Sequence, residues 1–250
     1  MPYRVEADLH VHTLLSACAQ VEMIPSLIVR KAERKGLDVI AITDHNSAEN
    51  AQAVIEAAKD SSVKVLPGIE AWSREDVHVV CVFDNMTEAL ALQEELYAHL
   101  PQAWGHHSFR DQMIVDADGE FLGYNEHLCS VPTSLNLDEI VEKVESLSGL
   151  AIPSHVDRSV MSLISALGFV PEDLKVPALE ISRATTLERA LEKFPSIRGR
   201  TIVLSSDAHC LENIGAARTV FYIENRSAAE IKLACENADG RYVEARRSGG

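Results

Sequence analysis

The sequence predicts an α/β fold in which repeated strand–helix units close into a barrel. Apolar runs rich in Val and Ile alternate with helical patterns along most of the chain, and polar residues follow many of the runs. Such alternation favours a parallel sheet, and about seven or eight units in one domain favour a closed barrel. Because the chain has 250 residues, 46% of them hydrophobic, we expect one domain over residues 1–240.

The predicted strands are short, apolar and mostly buried, as in a parallel sheet. They span residues 5–12, 37–43, 63–69, 77–83, 150–154, 178–182, 201–205 and 218–223. The predicted helices lie between them, at residues 25–35, 47–59, 87–100, 137–147, 185–194 and 227–237. The first helix has Pro25 in its first turn and stops at Gly36, which is a typical pair of helix boundaries.

One segment breaks this alternation. Helical periodicity is lost between residues 101 and 133, and MIVDADGEFLG at residues 113–123 predicts a hairpin that turns at Asp118 and Gly119. We interpret about residues 86–133 as an inserted helix and hairpin segment that covers one barrel mouth. Its His106, His107 and Arg110 are better explained as solvated loop residues than as substrate contacts.

Composition narrows the class of partner. The formal net charge of −15 repels nucleic-acid backbones, so we expect no non-specific nucleic-acid binding. Small phosphorylated substrates, or a short nucleic-acid end, remain possible partners if the positive charge of a local metal site outweighs this repulsion. The sequence does not indicate the oligomeric state.

The chain also has the features of a cytoplasmic protein. No apolar run approaches the roughly 18 residues of a membrane span, and the N-terminal residues lack the apolar stretch of a signal peptide. Five cysteines are scattered without a CxxC pair, which indicates reduced thiols. We expect a cytoplasmic location, no membrane partner and a frayed tail at residues 241–250.

Polar residues cluster at the ends of the predicted strands. The first strand carries Asp8, His10 and His12 at a spacing of two, so we expect them on the same side. Other strands contain, end in or lead to Asp44, His45, Glu70, His155, Glu180, Asp207 and His209. In parallel barrels the carboxyl ends of the strands meet at one mouth. His78 opens its strand instead of ending it and fits this scheme less well.

These groups are informative only as a set. Each histidine or acid alone is better explained as a satisfied core or surface residue. Together, so many imidazoles and carboxylates in one buried mouth would be too costly without cations. Such ligands suit Zn, Mn or Fe, and their number exceeds what one ion takes, so we expect two or three divalent ions.

Six ordered motifs resemble those of the PHP (polymerase and histidinol phosphatase) domain family. They are DLHVHT at 8–13, GLDVIAITDHNS at 36–47, PGIE at 67–70, HVVCVF at 78–83, IPSHVDR at 152–158 and SSDAH at 205–209. The resemblance covers about residues 5–225. It implies a distorted, TIM-like (β/α)7 barrel, a trinuclear metal centre and metal-dependent phosphoesterase activity.

The resemblance also implies roles for individual residues. It assigns the first metal to His10, His12, Glu70 and Asp207, the second to Glu70, His78 and His155, and the third to His45 and His209. Asp8 and Asp44 would then accept hydrogen bonds that orient ligating imidazoles. For Asp8, an ordinary solvated acid is an equally good interpretation.

The chain departs from the family pattern at one position. Many members have an acidic ligand for the third metal in a Ser-Asp-Gly sequence after the first motif, where this chain has Ala17. Cys18 or Glu22 could replace that ligand, and otherwise water does. Because a plain buried thiol is the better single interpretation of Cys18, both two and three metal ions stay open.

We expect hydrolysis of a phosphate ester by a hydroxide that bridges the metal ions. Arg158 and Arg183 are catalytic candidates for stabilising phosphoryl charge, since the guanidinium fork matches two phosphate oxygens. A surface ion pair is the favoured alternative for Arg183 and an equal one for Arg158. Asp207 or His209 could pass a proton to the leaving group.

Two other functions stay open. The same metal site could hydrolyse C–N bonds as amidohydrolases do, although those enzymes usually have a bridging modified lysine and the strand ends here offer none. The chain could instead be a non-catalytic, metal-binding regulatory module. No GxxxxGK[ST] or GxGxxG motif occurs, so nucleotide cofactors held by such loops are not indicated.

Overall fold

The computed structural model describes residues 1–102 and 112–244. Its strands are β1 (Tyr3–Val11), β2 (Val39–Ile42), β3 (Lys64–Trp72), β4 (His78–Val82), β5 (Met113–Val115), β6 (Phe121–Tyr124), β7 (Leu150–Pro153), β8 (Leu179–Ile181), β9 (Ile202–Leu204), β10 (Thr219–Ile223) and β11 (Tyr242–Val243). Its helices are α1 (Pro25–Arg34), α2 (Ala51–Ala57), α3 (Met86–Ala98), α4 (Leu137–Ser146), α5 (Leu163–Leu167), α6 (Leu187–Lys193) and α7 (Ala228–Cys235). Of the helices, α5 was not predicted.

Local sequence explains where several helices begin and end. Helix α1 has Pro25 in its first turn, and the chain leaves it at Gly36 with φ +68°, a conformation that glycine adopts at little cost. Helix α4 begins with a capping box in which Asn136 and Glu139 each accept a hydrogen bond from the other's backbone N–H. No helix within the described ranges is long and apolar enough to cross a membrane.

The strands form a curled half-barrel in a mixed α/β fold. Seven strands lie in the order β11-β10-β1-β2-β3-β4-β7, and β8 and β9 form a separate parallel pair. A bridge between Val11 and Ala208 connects the end of β1 to the chain after β9, and the Thr219 hydroxyl bonds to the Leu204 backbone. The predicted mixed α/β fold with a TIM-like, curled barrel sheet is therefore confirmed.

The expectation of an all-parallel sheet is wrong in part. Strands β1, β2 and β3 are parallel, but β4 runs antiparallel to both β3 and β7, and β10 is antiparallel to β1. Only the five residues 73–77 separate β3 from β4, whereas a crossover between parallel strands needs a dozen or more. The antiparallel direction places His78, the first residue of β4, opposite Trp72 at the end of β3.

Two apolar clusters fill the molecule. The inner cluster contains strand residues such as Val5, Leu66 and Val80, and it is closed by Ile231 and Ala234 of α7. The outer cluster packs the opposite faces of the strands against the other helices. Buried polar side chains lie beyond the inner cluster, at the end of the half-barrel where β1, β2 and β3 finish.

An irregularity in β1 changes the direction of its side chains. Leu9 belongs to the inner cluster but Val11 belongs to the outer one, although residues two apart normally share a face. The register of β1 against β2 shifts between Asp8 and Val11, as at a β-bulge. Asp8 therefore does not share a side with His10 and His12, and the expectation of one common side is wrong.

The predicted inserted hairpin is confirmed. Strands β5 and β6 pair around a turn in which Gly119 has φ +92°. The Asn50 side chain donates to the Met113 carbonyl, and that of Asn46 donates to the Cys129 and Val131 carbonyls, so the segment lies over the loop that follows β2. His106, His107 and Arg110 lie outside the described residues.

The predicted tail differs from the structure at its start. Residues Tyr242 and Val243 form β11, which pairs with β10, and Arg241 forms an ion pair with Glu230. These contacts tie the chain to the sheet edge, so a frayed tail from residue 241 is wrong for the described part. Residues 245–250 lie outside it.

Candidate metal centre

Glu70, at the end of β3, is surrounded by imidazoles. Its side chain is buried, and each of its carboxylate oxygens faces ring nitrogens from several strands. Around Oε1 lie His10 Nε2 at 3.1 Å, His78 Nδ1 at 3.0 Å and His155 Nε2 at 3.2 Å; around Oε2 lie His45 Nδ1 at 3.0 Å and His12 Nε2 at 3.4 Å. Burial raises the pKa of Glu70, but the neighbouring histidines outweigh it and hold the pKa well below its usual range.

Asp207 supplies a second carboxylate to the same cavity. Its Oδ1 lies 3.4 Å from His10 Nε2, 3.3 Å from His12 Nε2 and 3.4 Å from His209 Nδ1. Burial raises the pKa of Asp207, but the charge of His10 and a hydrogen bond from His12 lower it far below its ordinary value. The residue has φ +48°, a conformation that is costly for a non-glycine residue and that marks many active sites.

The donor atoms fit divalent cations better than they fit each other. His10 Nε2 and His12 Nε2 face each other at 3.1 Å. His45 Nδ1 and Glu70 Oε2 are 3.0 Å apart, yet neither atom has a hydrogen-bond partner in the described part of the chain. Ligands held about 2.0–2.2 Å from one ion lie about 3–3.5 Å apart, so these separations suit shared coordination.

Three overlapping groups of ligand atoms lie close enough to hold an ion. Within each group the atoms are within 4.8 Å of one another: His10, His12, Glu70 and Asp207; His45, Glu70 and His78; and His12, His45 and His209. His155 belongs to none of these groups but contacts the Glu70 Oε1 atom. Among the described residues, His78 Nε2 and His155 Nδ1 are buried nitrogens without a hydrogen-bond partner.

Two hydrogen-bond relays orient the first two histidines. His10 Nδ1 lies 3.1 Å from Glu180 Oε1, which directs its Nε2 at the cavity. His12 Nδ1 contacts Ser16 Oγ at 3.0 Å, and Ser16 in turn donates to Asp44 Oδ1 at 2.6 Å. Asp44 thus acts on an imidazole through Ser16.

The roles of Glu180 and Ser16 were missed from the sequence. A carboxylate in a buried strand was the available signal for Glu180. Ser16 lies in a loop and gave no signal.

Asp8 is buried, so it is not the solvated acid of one interpretation, and it also differs from the orienting role of the other. Its oxygens accept from the backbone N–H of Ser206 at 2.9 Å and of Gly215 at 2.8 Å, and also from that of His10 at 3.5 Å. Because the bulge turns Asp8 away from the cavity, it fixes the loop that carries Asp207 instead of orienting an imidazole.

A pocket of about 470 Å³ opens onto the cluster. Arg158, Trp72 and Met161 line it together with ligand candidates, and the Arg158 guanidinium donates to Asp207 Oδ2. Arg183 and Glu22 are exposed and do not line this pocket, so the structure does not bring them to the site. No lysine is present among the described residues that line it.

Cys18 is exposed at the pocket rim, so its interpretation as a plain buried thiol is wrong. Its Sγ is 3.3 Å from His45 Nε2, and it also hydrogen-bonds to His209. Burial raises the pKa of the Cys18 thiol, but the hydrogen bonds from His209 and His45 lower it to about 6. Of the two substitutes expected for an acid at the Ala17 position, only Cys18 reaches the cluster.

Comparison with known proteins agrees with this architecture. The PHP domain family matches residues 8–160 of the chain. The uncharacterized protein MJ1587 of Methanocaldococcus jannaschii is 25% identical over 190 residues, which cover 72% of this chain and 82% of that protein.

Solved structures share the fold. The lesion-specific endonuclease PfuEndoQ of Pyrococcus furiosus is 19% identical with a TM-score of 0.70, over 96% of this chain and 58% of that chain. A complex of Endonuclease Q with a 27-mer duplex that has an abasic lesion at the active site is 18% identical with a TM-score of 0.66, over 96% of this chain and 58% of that chain. An amidohydrolase of Chromobacterium violaceum is 19% identical with a TM-score of 0.56, over 84% of this chain and 89% of that chain. This chain thus spans little more than half of the endonuclease chains.

Proposed function

Because the chain belongs to the PHP domain family, we propose that it is a phosphoesterase acting on a small phosphomonoester, a nucleotide or a nucleic-acid end. Family membership and the donor cluster support the coarser statement, a metal-dependent hydrolase. The observation that supports a phosphate ester as the substrate is the position of the Arg158 guanidinium, which lies in the pocket beside Asp207.

We propose two or three ions, of Mn, Fe or Zn, held by the residues around Glu70. The group of His10, His12, Glu70 and Asp207 supports a first position. Glu70, with His78 and His155 in contact with its Oε1, supports a second. His45 and His209 support a third. Divalent ions in such a cluster supply Lewis acidity and lower the pKa of water.

Arg158 would bind the phosphoryl group. A guanidinium has five N–H donors in a planar fork, so the pair with Asp207 leaves others for two phosphate oxygens. The anion of the pair also holds the guanidinium at the pocket. A charged donor at this place stabilises negative charge that develops on the phosphoryl oxygens.

In a two-ion form of the centre, which leaves His209 uncoordinated, His209 suits proton transfer to the leaving group better than Asp207 does. Burial lowers the pKa of His209, but the Cys18 thiol and the Asp207 carboxylate outweigh it and raise the pKa. The pKa of Asp207 lies far below its ordinary value, so this carboxylate has no proton to give near neutral pH. His209 also lines the pocket, where a leaving group would depart.

The pocket and the charge of the chain support a compact substrate. A pocket of about 470 Å³ admits a phosphorylated small molecule or a terminal nucleotide. The net charge of −15 opposes a long nucleic-acid backbone. Endonuclease Q has been captured with an abasic lesion at its active site, and a short nucleic-acid end is the corresponding proposal for this chain.

We propose a cytoplasmic location from the state of the thiols. All five cysteines are free; Cys81, Cys129 and Cys235 are buried, and of these Cys81 and Cys235 lie in the two apolar clusters. Reduced thiols of this kind are typical of a reducing compartment.

A substrate panel tests the proposal. Metal-loaded protein is assayed on p-nitrophenyl phosphate, bis-p-nitrophenyl phosphate, a 5′-phosphorylated dinucleotide and a p-nitroanilide amide. We expect turnover of at least one phosphoester, which His155→Ala and Asp207→Asn abolish with unchanged circular dichroism. Glu212→Gln, at an exposed acid, is the matched control and should retain activity.

Two results would contradict the phosphoesterase. Turnover of the amide alone would assign the site to C–N hydrolysis. Metal-replete protein that turns over none of the panel, and whose His155→Ala variant loses only binding of a partner, would assign it to a regulatory module.

A further inference from the structure

Among the described residues that line the pocket, Cys18 is the one that carries a thiol. Its Sγ lies 3.3 Å from His45 Nε2 and hydrogen-bonds to His209. Ala17 also lines the pocket, but its methyl group has no donor atom. Sulfur and an imidazole nitrogen on one tetrahedral zinc ion, at about 2.3 and 2.0 Å, are about 3.5 Å apart. The observed separation is therefore close to that of two ligands of one ion.

Backbone hydrogen bonds hold the loop that carries this thiol. The Ala19 N–H donates to the Ser16 carbonyl at 2.8 Å, and the Gln20 N–H donates to the His209 carbonyl at 2.8 Å. Ser16 is itself fixed by its hydrogen bond to Asp44. The position of Cys18 relative to His209 is thus built by the fold on both sides of the thiol.

An independent feature also indicates an ion at this place. Ligand atoms of His12, His45 and His209 lie within 4.8 Å of one another without any contribution from Cys18. His45 is buried, and because its Nδ1 faces Glu70 Oε2 at 3.0 Å, the ring turns its other nitrogen, Nε2, toward Cys18. The thiol therefore borders a group of nitrogens that is already suited to a cation.

We propose that Cys18 is a thiolate ligand of the third metal position, with His45 and His209, and that it makes this position selective for Zn²⁺ over Mn²⁺. The inference rests on the metal centre of the proposed function and deepens it. On binding, the S–H proton passes to solvent and a sulfur lone pair forms the bond to the ion, with no change of oxidation state. Soft thiolate donors favour Zn²⁺, whereas Mn²⁺ prefers oxygen.

Cobalt substitution tests the ligand directly. Metal-free protein is titrated with Co²⁺ under argon, and near-ultraviolet sulfur-to-cobalt charge-transfer absorption is recorded. We expect the band in the wild type and its loss in Cys18→Ser. Cys210→Ser is the matched control, because Cys210 follows His209 and is half-buried; this variant should keep the band.

A competition experiment tests the selectivity. Equimolar Zn²⁺ and Mn²⁺ are offered to the wild type and to Cys18→Asp, and bound metals are counted by mass spectrometry. We expect the Zn-to-Mn ratio to fall at least about 10-fold in the aspartate variant, because an oxygen donor replaces sulfur. An unchanged ratio would overturn the selectivity.

Alkylation keeps the inference testable if the variants do not fold. In wild-type protein Zn²⁺ should slow carbamidomethylation of Cys18 by iodoacetamide, as read by peptide mass spectrometry, while leaving that of Cys210 unchanged. Equal rates with and without Zn²⁺, or a charge-transfer band that survives in folded Cys18→Ser, would overturn the ligand. None of these measurements needs turnover, so failure of the phosphoesterase proposal gives a separate result.

Discussion

At the residue scale the site is an electrostatic balance around Glu70. Five imidazole nitrogens lie within 3.4 Å of its two oxygens. The negative charge of this one carboxylate is therefore shared among five imidazoles, each of which is a cation when protonated. Burial lowers the pKa of His45, but Glu70 and the Cys18 thiol outweigh it and raise the pKa to about 10. Without metal, His45 therefore carries a proton throughout the neutral range.

This protonation predicts a pH-dependent metal affinity. An ion binds only neutral imidazole, so it must displace the His45 proton at any pH below about 10. We expect metal addition at pH 7.5 to release protons and the affinity to rise between pH 6 and 9. Titration in weak buffer with an indicator dye measures the proton release. Chelator competition at each pH measures the metal affinity. Equal affinity across this range without proton release would contradict the prediction.

The two candidate arginines should differ sharply. Both arginines are exposed, but Arg158 contacts Asp207 and lines the pocket, whereas Arg183 does not line it. We expect Arg158→Ala to lower kcat/KM for a phosphoester about 100-fold, as loss of one charge-stabilising donor does. The corresponding change at Arg183 should stay within about 3-fold. Steady-state kinetics on metal-replete protein decides, and equal losses in the two variants would contradict the assignment.

Much of the donor set could be predicted at this scale, but some side-chain directions could not. The motifs identified the histidines that the structure brings around Glu70, including His155 after its strand. The spacing of two between Asp8 and His10 led to a wrong prediction for the direction of the Asp8 side chain, because a local register shift in β1 reverses the usual alternation of side chains between the two faces of the strand. No pattern in the chain indicates such a shift, since it depends on pairing with β2.

At the element scale the antiparallel strand β4 completes the cluster. Its first residue, His78, lies opposite Trp72, so the start of this strand and the ends of its neighbours meet at the same mouth. The sequence contained the signal for this direction, because seven residues between the predicted strands cannot form a parallel crossover. Most helix and strand positions could be predicted from apolar periodicity. Helix α5 could not, since it has only five residues.

Close packing of β3 between its neighbours gives a stability prediction. A Cβ on Gly68 would lie 2.6 Å from the Cys81 carbonyl oxygen and 3.0 Å from Thr43 Cγ2. We expect Gly68→Ala to lower the free energy of unfolding by about 1–3 kcal/mol, through forced backbone shifts. Urea denaturation with chelator present measures the effect without metal binding.

The matched control for that variant lies in the hairpin. Gly123 of β6 has no atom within 4 Å of a built Cβ, so Gly123→Ala should change stability by less than about 0.5 kcal/mol. Equal midpoints for both variants would show that β3 tolerates the added methyl group.

At the scale of the whole molecule, the half-barrel combines an apolar interior with one strongly polar end. The inner cluster fills the space between strands and α7, and the buried acids and imidazoles lie beyond it. A folded chain that binds ions which the unfolded chain does not bind gains stability from them.

Metal removal should therefore lower the melting temperature. At a free ion concentration about 100 times Kd, binding adds about 2.7 kcal/mol, or about 5–10 °C for a chain of this size. We expect a shift of this order in differential scanning fluorimetry with and without chelator, and a smaller one in His155→Ala. A melting temperature indifferent to metal would contradict coupling between the centre and the fold.

The short reversal between β3 and β4 has a consequence for how this scaffold can diversify. Residues 73–77 join Trp72 to His78, which both line the pocket, and the ladder beside them pins these two residues to one another. Lengthening this reversal would reshape the rim and leave the paired residues anchored. Substrate preference could thus change by loop growth at a place where the ion ligands do not have to move.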